Sequence, residues 1–391
     1  ASVEKALDIK RGEAGVVDAI VAEDIGKFPD LNLAESLQRI PGVVITRDAG
    51  EGRAISVRGL GPDFTRVRIN GMEALTTVGA SDQSGGSNRG RGFDFNVFAS
   101  DLFSQLIVRK TASAEVEEGS LGATVDLRTA RPFDYDGLTI VGSGQASYSD
   151  MAATADPRVA GLIANTWADG KFGALLSVAY SERQALEEGS GTGRWANGPS
   201  NGGFDPNSPF TPALSAGTFH PRFPRYTLME HEQKRTGVTT SLQFKPTDRL
   251  EFSLDGLYSK IDAVRDEKYI EAISFSRSGA GKPETIVRDG VVDSNGALIY
   301  GEFDNVDIRS ESRHDEWNTV FTQLTLDGKF DVTDDFTISG KIGTSSSEHE
   351  NPIQTTIIMD KNNVDGYSYD YRGDKYKPVL NYGIDPTDPN G

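Results

Sequence analysis

The stretch 249-RLEFSLDGLYSKI-261 sets Leu250, Phe252 and Leu254 against Glu251, Ser253 and Asp255, one for one. Strict alternation is the period of an extended strand whose two faces meet different surroundings. The same texture recurs in 138-LTIVGSGQASYS-149, 158-RVAGLIANTWA-168, 171-KFGALLSVAYSER-183, 236-TGVTTSLQFK-245, 317-WNTVFTQLTLDGKFDV-332 and 335-DFTISGKIGTS-345. About seven strands are therefore expected after Arg131.

The connections between them sort into two kinds. Asp169-Gly170, 246-PTD-248 and 333-TD-334 are tight, whereas about 184–235, 276–302 and 350 onward are long and polar, with a shorter member near 150–156. The two kinds alternate along the chain. That is an up-and-down meander with short turns at one rim and long loops at the other, the habit of outer-membrane β-barrels. A soluble sandwich has turns of similar length at both ends. Tyr148, Trp167, Tyr180, Tyr258 and Trp317 fall near the expected strand ends, where an interfacial aromatic girdle sits.

Composition narrows the classes. The 391 residues carry a net charge of −18, which repels polyanions and argues against a nucleic-acid partner. With no cysteine there is neither a disulfide nor a thiolate metal site. No run approaches the roughly 18–20 apolar residues of a spanning helix, which leaves strands as the only membrane-crossing elements. The first residues show no signal peptide, so the chain reads as cytoplasmic or already processed.

Before Arg131 the elements are short and mixed. Asn32 leads into 33-LAESLQRI-40, where Leu33, Leu37 and Ile40 share a helical face; Asn32 with Glu35 reads as a capping box, and Pro41-Gly42 as the stop. A second helix is expected over about 97–104, then strands at 106-LIVRK-110 and 123-ATVDLRT-129. In 56-SVRGLGPDFTRVRINGMEA-74, Arg66 and Arg68 alternate along a strand that ends in a hairpin-type Asn70-Gly71 turn. Residues 1–131 thus form an α+β domain and 132–391 the strand region. A barrel of about eight strands is filled by its own side chains. A domain of this size, with a radius of gyration near ~14 Å, does not fit inside one, so either the two parts lie side by side or the chain is the front portion of a much larger barrel; the close in 385-DPTDPNG-391 without a final strand favours the second.

Enzyme motifs fail on inspection. From Gly59 the run G-L-G-P-D-F lacks the third glycine of a dinucleotide loop, and 279-GAGKP-283 lacks the earlier glycine and the Ser or Thr of a phosphate loop. His220, His231, His314 and His349 show no metal-ligand spacing and read as scattered, solvated side chains. The G-x-S-x-G match 198-GPSNG-202 falls in the long polar loop, not in the strand-to-helix turn that a nucleophile elbow needs. The run 85-GGSNRGRGFDFN-96 holds a single RGG-like copy, better suited to offering Arg and amide groups to a polar ligand than to binding nucleic acid. The loop 360-DKNNVDGYSYDYRGD-374 gathers Asp360, Asp365, Asp370 and Asp374, oxygen ligands of the kind calcium takes, although the spacing misses an EF-hand. Its Tyr367, Tyr369 and Tyr371 offer faces for stacking.

Three N-terminal pieces carry a family likeness: 23-EDIGKFPDLNLAESLQRIPGVVITRD-48, 55-ISVRGLGPDFTRVRINGMEA-74 and 104-SQLIVRKTASAEVEEGSLGATVDLRTARP-132. In their order and spacing they resemble the plug domain of TonB-dependent outer-membrane transporters, and the wording AEDIGKFPD and RGLGPDFTRV resembles a subgroup linked to carbohydrate uptake. The resemblance implies a plug at 1–131 inside the lumen of an antiparallel transmembrane barrel of roughly 22 strands, of which 132–391 would supply the first. It also implies a TonB box upstream of Ala1, an inner-membrane TonB complex as partner, outer-membrane lipid around the strands and a surface lipoprotein as accessory. No cofactor and no catalytic residue follow from it.

The expected function is active uptake of a scarce nutrient, with an oligosaccharide first; the alternatives are a siderophore or metal chelate, or a passive porin or adhesion barrel. Expected substrate contacts are Asp82, Gln83, Arg89 and Arg91 at the plug apex and Arg194, Trp195, Tyr367, Tyr369 and Tyr371 in the loops. Arg58, Arg66 and Arg68 are expected to latch the plug to carboxylates on the wall.

Overall fold

The computed structural model describes residues 2–22, 32–76, 91–114, 116–275 and 283–388. The chain opens on α1 (Ser2–Gly12) and β1 (Val17–Val21), followed by α2 (Leu33–Gln38), β2 (Val43–Asp48), β3 (Glu51–Val57), β4 (Thr65–Ile69), β5 (Met72–Glu73), β6 (Phe103–Arg109) and β7 (Ala123–Thr129). Five of these strands form a sheet in the order β1-β6-β7-β4-β5, and β2 and β3 form a separate hairpin. Helix α2 starts where the sequence places it, because the Asn32 side chain accepts from the Ala34 and Glu35 backbone N–H groups. The reciprocal half of the capping box is missing. Glu35 is held by Arg47 of β2 at 2.6 Å instead.

The helix expected at 97–104 is replaced by two single 3₁₀ turns, Phe95–Val97 and Ser100–Leu102, which run into β6. Phe93, Phe95, Val97, Phe98, Leu102 and Phe103 are all buried, more apolar positions than one helical face can cover. Arg158 also grips Ser100 at 2.7 Å and Asp101 at 2.5 Å, fixing the turn between them. The Asn70-Gly71 hairpin forms as expected. Both residues have positive φ, 50° and 79°, the signature of a type I′ turn, and Arg68 pairs with Glu73 across it. Gly71→Ala should destabilise the chain by about 1–2 kcal/mol, the cost of a left-handed alanine. The Lys341 ammonium also lies where the new Cβ would go. An unchanged denaturation midpoint would show that this turn carries no strain.

From Thr139 the strands are β8 (Thr139–Ser149), β9 (Thr154–Trp167), β10 (Phe172–Gly191), β11 (Trp195–Asn197), β12 (Phe219–Pro221), β13 (Arg225–Thr247), β14 (Leu250–Ser274), β15 (Ile286–Val292), β16 (Leu298–Asp304), β17 (Val306–Asp331), β18 (Thr337–Val364), β19 (Tyr367–Asp370) and β20 (Val379–Asn381). Seven of them make one meander, in the order β18-β17-β14-β13-β10-β9-β8. Its faces are inverted relative to a soluble sheet. In β13 the apolar Leu242 and Phe244 are 45% and 48% exposed, while the intervening Ser241 and Gln243 are 1% and 2% exposed. In β14, Ser253 and Asp255 are likewise buried and Phe252 and Leu254 exposed. Polar inside and apolar outside is the arrangement of a wall in lipid.

Trp167 stacks on Phe172 beside the tight turn that joins β9 to β10. Tyr180 and Tyr258 lie eight residues further along their strands, ~27 Å at strand rise, about the height of an apolar band. Trp317 does not join this girdle: it is buried against the His231 ring at 5.6 Å.

The strands run far past the expected ends. β10, β13, β14, β17 and β18 have 20, 23, 25, 26 and 28 residues, where about 9–11 suffice to span a bilayer. Much of the expected loops 184–235 and 350 onward is therefore strand. The chain divides into two compact units, one of residues 1–185, 231–264 and 316–353 and one of 186–230, 265–315 and 354–391. Arg131 is not a boundary between them. In the first unit a single apolar core joins Leu33, Ile55, Val67, Phe98 and Val125 of the N-terminal domain to Ala160, Ala179, Leu257, Ile261 and Phe321 of the wall. The second unit has its own core around Phe275, Phe303, Tyr367 and Tyr369, with the ribbon β11–β12 and the sheet β15-β16-β19-β20.

Candidate functional site

The N-terminal domain is tied to the wall by polar side chains that the strands aim inward. Arg131 donates to Asp255 at 2.5 Å and to Asp327 at 2.6 Å. Arg158 holds Asp101, and Ser259 donates to the Val97 carbonyl at 2.7 Å. Gln323 donates to the Ile69 carbonyl at 2.8 Å, and Lys341 donates to the Asn70 carbonyl. Arg183 donates to the Ala49 carbonyl at 2.5 Å, at the tip of the β2–β3 hairpin. Gly237 lets Leu102 pack where a Cβ would stand.

The expected latch residues are not among these ties. Arg68 makes two bonds to Asp126, at 2.6 and 2.8 Å, because β4 and β7 run parallel with Arg68 beside Asp126 in register. Arg66 pairs with Glu73 and Glu117, and Arg58 donates to the Gly122 carbonyl. All three arginines satisfy their own domain. The wall instead grips the backbone of the same Asn70-Gly71 hairpin, and the charged bridges come from Arg131 and from wall arginines that the alternation hid.

The expected ligand residues separate. Asp82, Gln83 and Arg89 lie outside the described residues. Arg91 donates its backbone N–H to Asp63 at 2.5 Å, and the neighbouring Phe93 and Phe95 are core residues, not a stacking surface. Tyr367 and Tyr369 are fully buried in the second unit, so neither offers a ring to a ligand. Trp195 and Tyr371 do come together, edge to face at 5.2 Å, with Trp195 partly open to solvent.

Beside that pair, the ribbon β11–β12 brings Arg194 and Arg222 to adjacent backbone positions, where Arg222 donates its N–H to the Arg194 carbonyl at 3.0 Å. The Arg194 guanidinium is anchored on neutral acceptors, Asn201 Oδ1 at 2.9 Å and the Ser200 carbonyl at 2.5 Å. The Arg222 guanidinium lies 4.8 Å from the Phe223 ring centre. Among the described residues neither forms an ion pair. Two exposed cations beside aromatic faces suit an anionic, aromatic ligand. The pairing of Arg194 with Arg222 was hidden in the sequence, where they are 28 positions apart.

Two other expectations change. His220 and His231 are buried, not solvated. His220 packs on Phe204 at 4.7 Å, and burial pulls its ring below the ordinary histidine range despite a contact with the Pro221 carbonyl. The loop aspartates do not converge on a cation: Asp360 pairs with Arg309, Asp370 with Arg372, and Asp365 and Asp374 accept from backbone N–H groups. Among the described residues no group of three or more acids and histidines is placed to hold a metal.

Residues 10–124 match the family described as TonB-dependent Receptor Plug Domain. The N-terminal domain is therefore a plug of that class, followed by antiparallel strands with a lipid-facing outer surface, and the protein resides in the bacterial outer membrane. Among curated relatives, the chain is 30% identical over 128 residues to the ferric enterobactin receptor PirA of Pseudomonas aeruginosa, covering 31% of this chain and 17% of that protein. It is 28% identical over 121 residues to a probable TonB-dependent siderophore receptor PirA of Acinetobacter baumannii, covering 29% and 16%. The chain thus matches under a fifth of these relatives' length. A solved ferric enterobactin receptor mutant of Pseudomonas aeruginosa, bound to enterobactin, aligns with 92% of this chain and 61% of its own at 13% identity and a TM-score of 0.37. The unliganded ferric citrate transporter FecA aligns with 91% and 60% at 13% identity and the same score.

Proposed function

We propose that this chain forms the plug and part of the wall of a TonB-dependent outer-membrane receptor that imports a ferric siderophore. The observation that carries the reading is the plug itself, whose curated relatives are named as ferric enterobactin and siderophore receptors. The Arg194–Arg222 pair beside Trp195 and Tyr371 supports it, since exposed guanidiniums beside aromatic faces suit an anionic, aromatic chelate. The oligosaccharide reading loses its main structural support with the burial of Tyr367 and Tyr369. In this scheme the long-loop side captures the chelate, and a TonB complex drawing on the inner membrane displaces the plug so that the chelate passes into the periplasm. No bond is made or broken.

A strain lacking the full-length protein should grow normally on oligosaccharides but poorly when iron is supplied only as ferric enterobactin or related chelates. Collapse of the proton gradient should abolish uptake in the wild type. Growth loss confined to a glycan would move the assignment back to carbohydrate, and uptake that survives collapse of the gradient would leave a passive pore.

A further inference from the structure

A buried carboxylate of the plug is gripped from the wall at a point where two plug segments meet. Glu51, at the start of β3, is buried and reached from two directions. From β13 of the wall, Gln233 donates to it at 2.5 Å and Arg235 at 3.2 Å. From the plug, Asn32 donates at 3.1 Å. The same Arg235 donates to the Asn96 carbonyl at 2.6 Å and to the Asn96 side chain at 2.9 Å, and Asn32 also donates to that side chain at 3.2 Å. Burial pushes the Glu51 carboxyl up, but Arg235 and Arg183, with the bonds from Asn32 and Gln233, outweigh it and hold the group below the usual carboxylate range.

The partners are not equivalent pieces of the plug. Asn32 is the N-cap of α2 and follows residues 23–31; Asn96 sits in the 3₁₀ turn that follows residues 77–90. Thus the entry to α2 and the turn before β6, which are 64 residues apart in sequence, meet at the Asn32–Asn96 bond, with Asn32 also on Glu51 and Asn96 also on Arg235 of the wall. A charge left unpaired at such depth is costly, so the network holds or releases both segments together.

We propose that Glu51 is a positioning residue that couples these two plug segments through β13, so that releasing one from the Glu51–Arg235 pair frees the other. The polarity is the reverse of a plug-arginine latch, with the acid on the plug and the cation on the wall. The proposal rests on the uptake reading only for its consequence in transport.

Hydrogen–deuterium exchange on the full-length protein in detergent, with no substrate present, tests the coupling independently of which molecule is imported. In Glu51→Gln, exchange over 33–38 and 93–98 should rise together, by roughly tenfold or more, while β6 and β7 stay protected. Asp101→Asn, which cuts the neighbouring Arg158 tie, should raise exchange around 100–102 and leave 33–38 unchanged. The proposal is overturned if Glu51→Gln leaves both segments protected, if it frees only one, or if Asp101→Asn frees 33–38 as well. Should Glu51→Gln fail to assemble, Gln233→Leu, which removes a single wall donor, is judged on the same two segments.

Discussion

Arg131→Met should cost the full-length protein about 3–5 kcal/mol, the penalty for stranding a buried charge. The Asp255 side chain is 1% exposed and also accepts from the Ser241 hydroxyl at 2.7 Å. Arg131 bridges Asp255 and Asp327 from the residue where the plug passes into the wall, so its loss removes the guanidinium that both carboxylates share. Burial disfavours a charged guanidinium there, but the two acids outweigh burial and hold Arg131 protonated. The cost lies in unpaired carboxylates and not in lost packing, so neutralising them should recover most of it. Chemical denaturation of Arg131→Met and of Arg131→Met with Asp255→Asn and Asp327→Asn separates the two causes. If the triple variant is as unstable as the single one, the bridge is incidental and Arg131 acts through its aliphatic stem.

The reach of the sequence follows the same division between apolar and polar burial. Where a face is apolar, alternation or helical spacing shows it: Leu33 and Leu37 on α2, Val125 and Leu127 on β7, and Phe252 and Leu254 against Ser253 and Asp255 on β14 all sit as read. Where the buried face is polar, hydropathy is silent. The β13 extension 225-RYTLMEHEQKR-235 has no apolar alternation, yet His231, Gln233 and Arg235 are all buried, each with its neighbour turned outward. The Glu51 network is therefore invisible at sequence level, as is most of the wall's grip on the plug.

Pairing is the second thing a single strand does not disclose. Arg66 and Arg68 were recognisable as strand residues, but their partners were set by the parallel β4–β7 pairing, with Asp126 58 positions away from Arg68. In the same way, Tyr367, Tyr369 and Tyr371 read in the sequence as stacking faces offered together by one polar loop. Tyr367 and Tyr369 fill the core of the second unit beside Phe275 and Phe303, and only Tyr371 reaches Trp195. The Asn70-Gly71 turn was legible because its two positive φ angles are a local demand that Asn-Gly meets without any distant partner.

The proposed siderophore substrate yields the other large effect. Replacing both Arg194 and Arg222 with Gln should weaken binding of ferric enterobactin to the full-length receptor by about 100-fold, with about tenfold for either alone, if each exposed arginine supplies a charge-assisted contact near the lower end of its range. The loss should shrink at high salt, because exposed charges are screened within about 10 Å at ordinary ionic strength. Neither substitution removes a buried ion pair, so stability should hold, with Arg194→Gln giving up only its bonds to Asn201 and Ser200. Trp195→Ala should also weaken binding, since it opens the edge-to-face contact with Tyr371, whereas Tyr367→Leu should damage the second unit's core instead. A neutral oligosaccharide would reverse the ranking: Trp195→Ala would then dominate, and the double arginine variant would bind nearly as well as the wild type at any salt concentration. Titration of ferric enterobactin and of a neutral oligosaccharide into these variants therefore tells the two substrates apart, and an anionic chelate that binds the double variant as tightly as the wild type would remove this patch from the capture site.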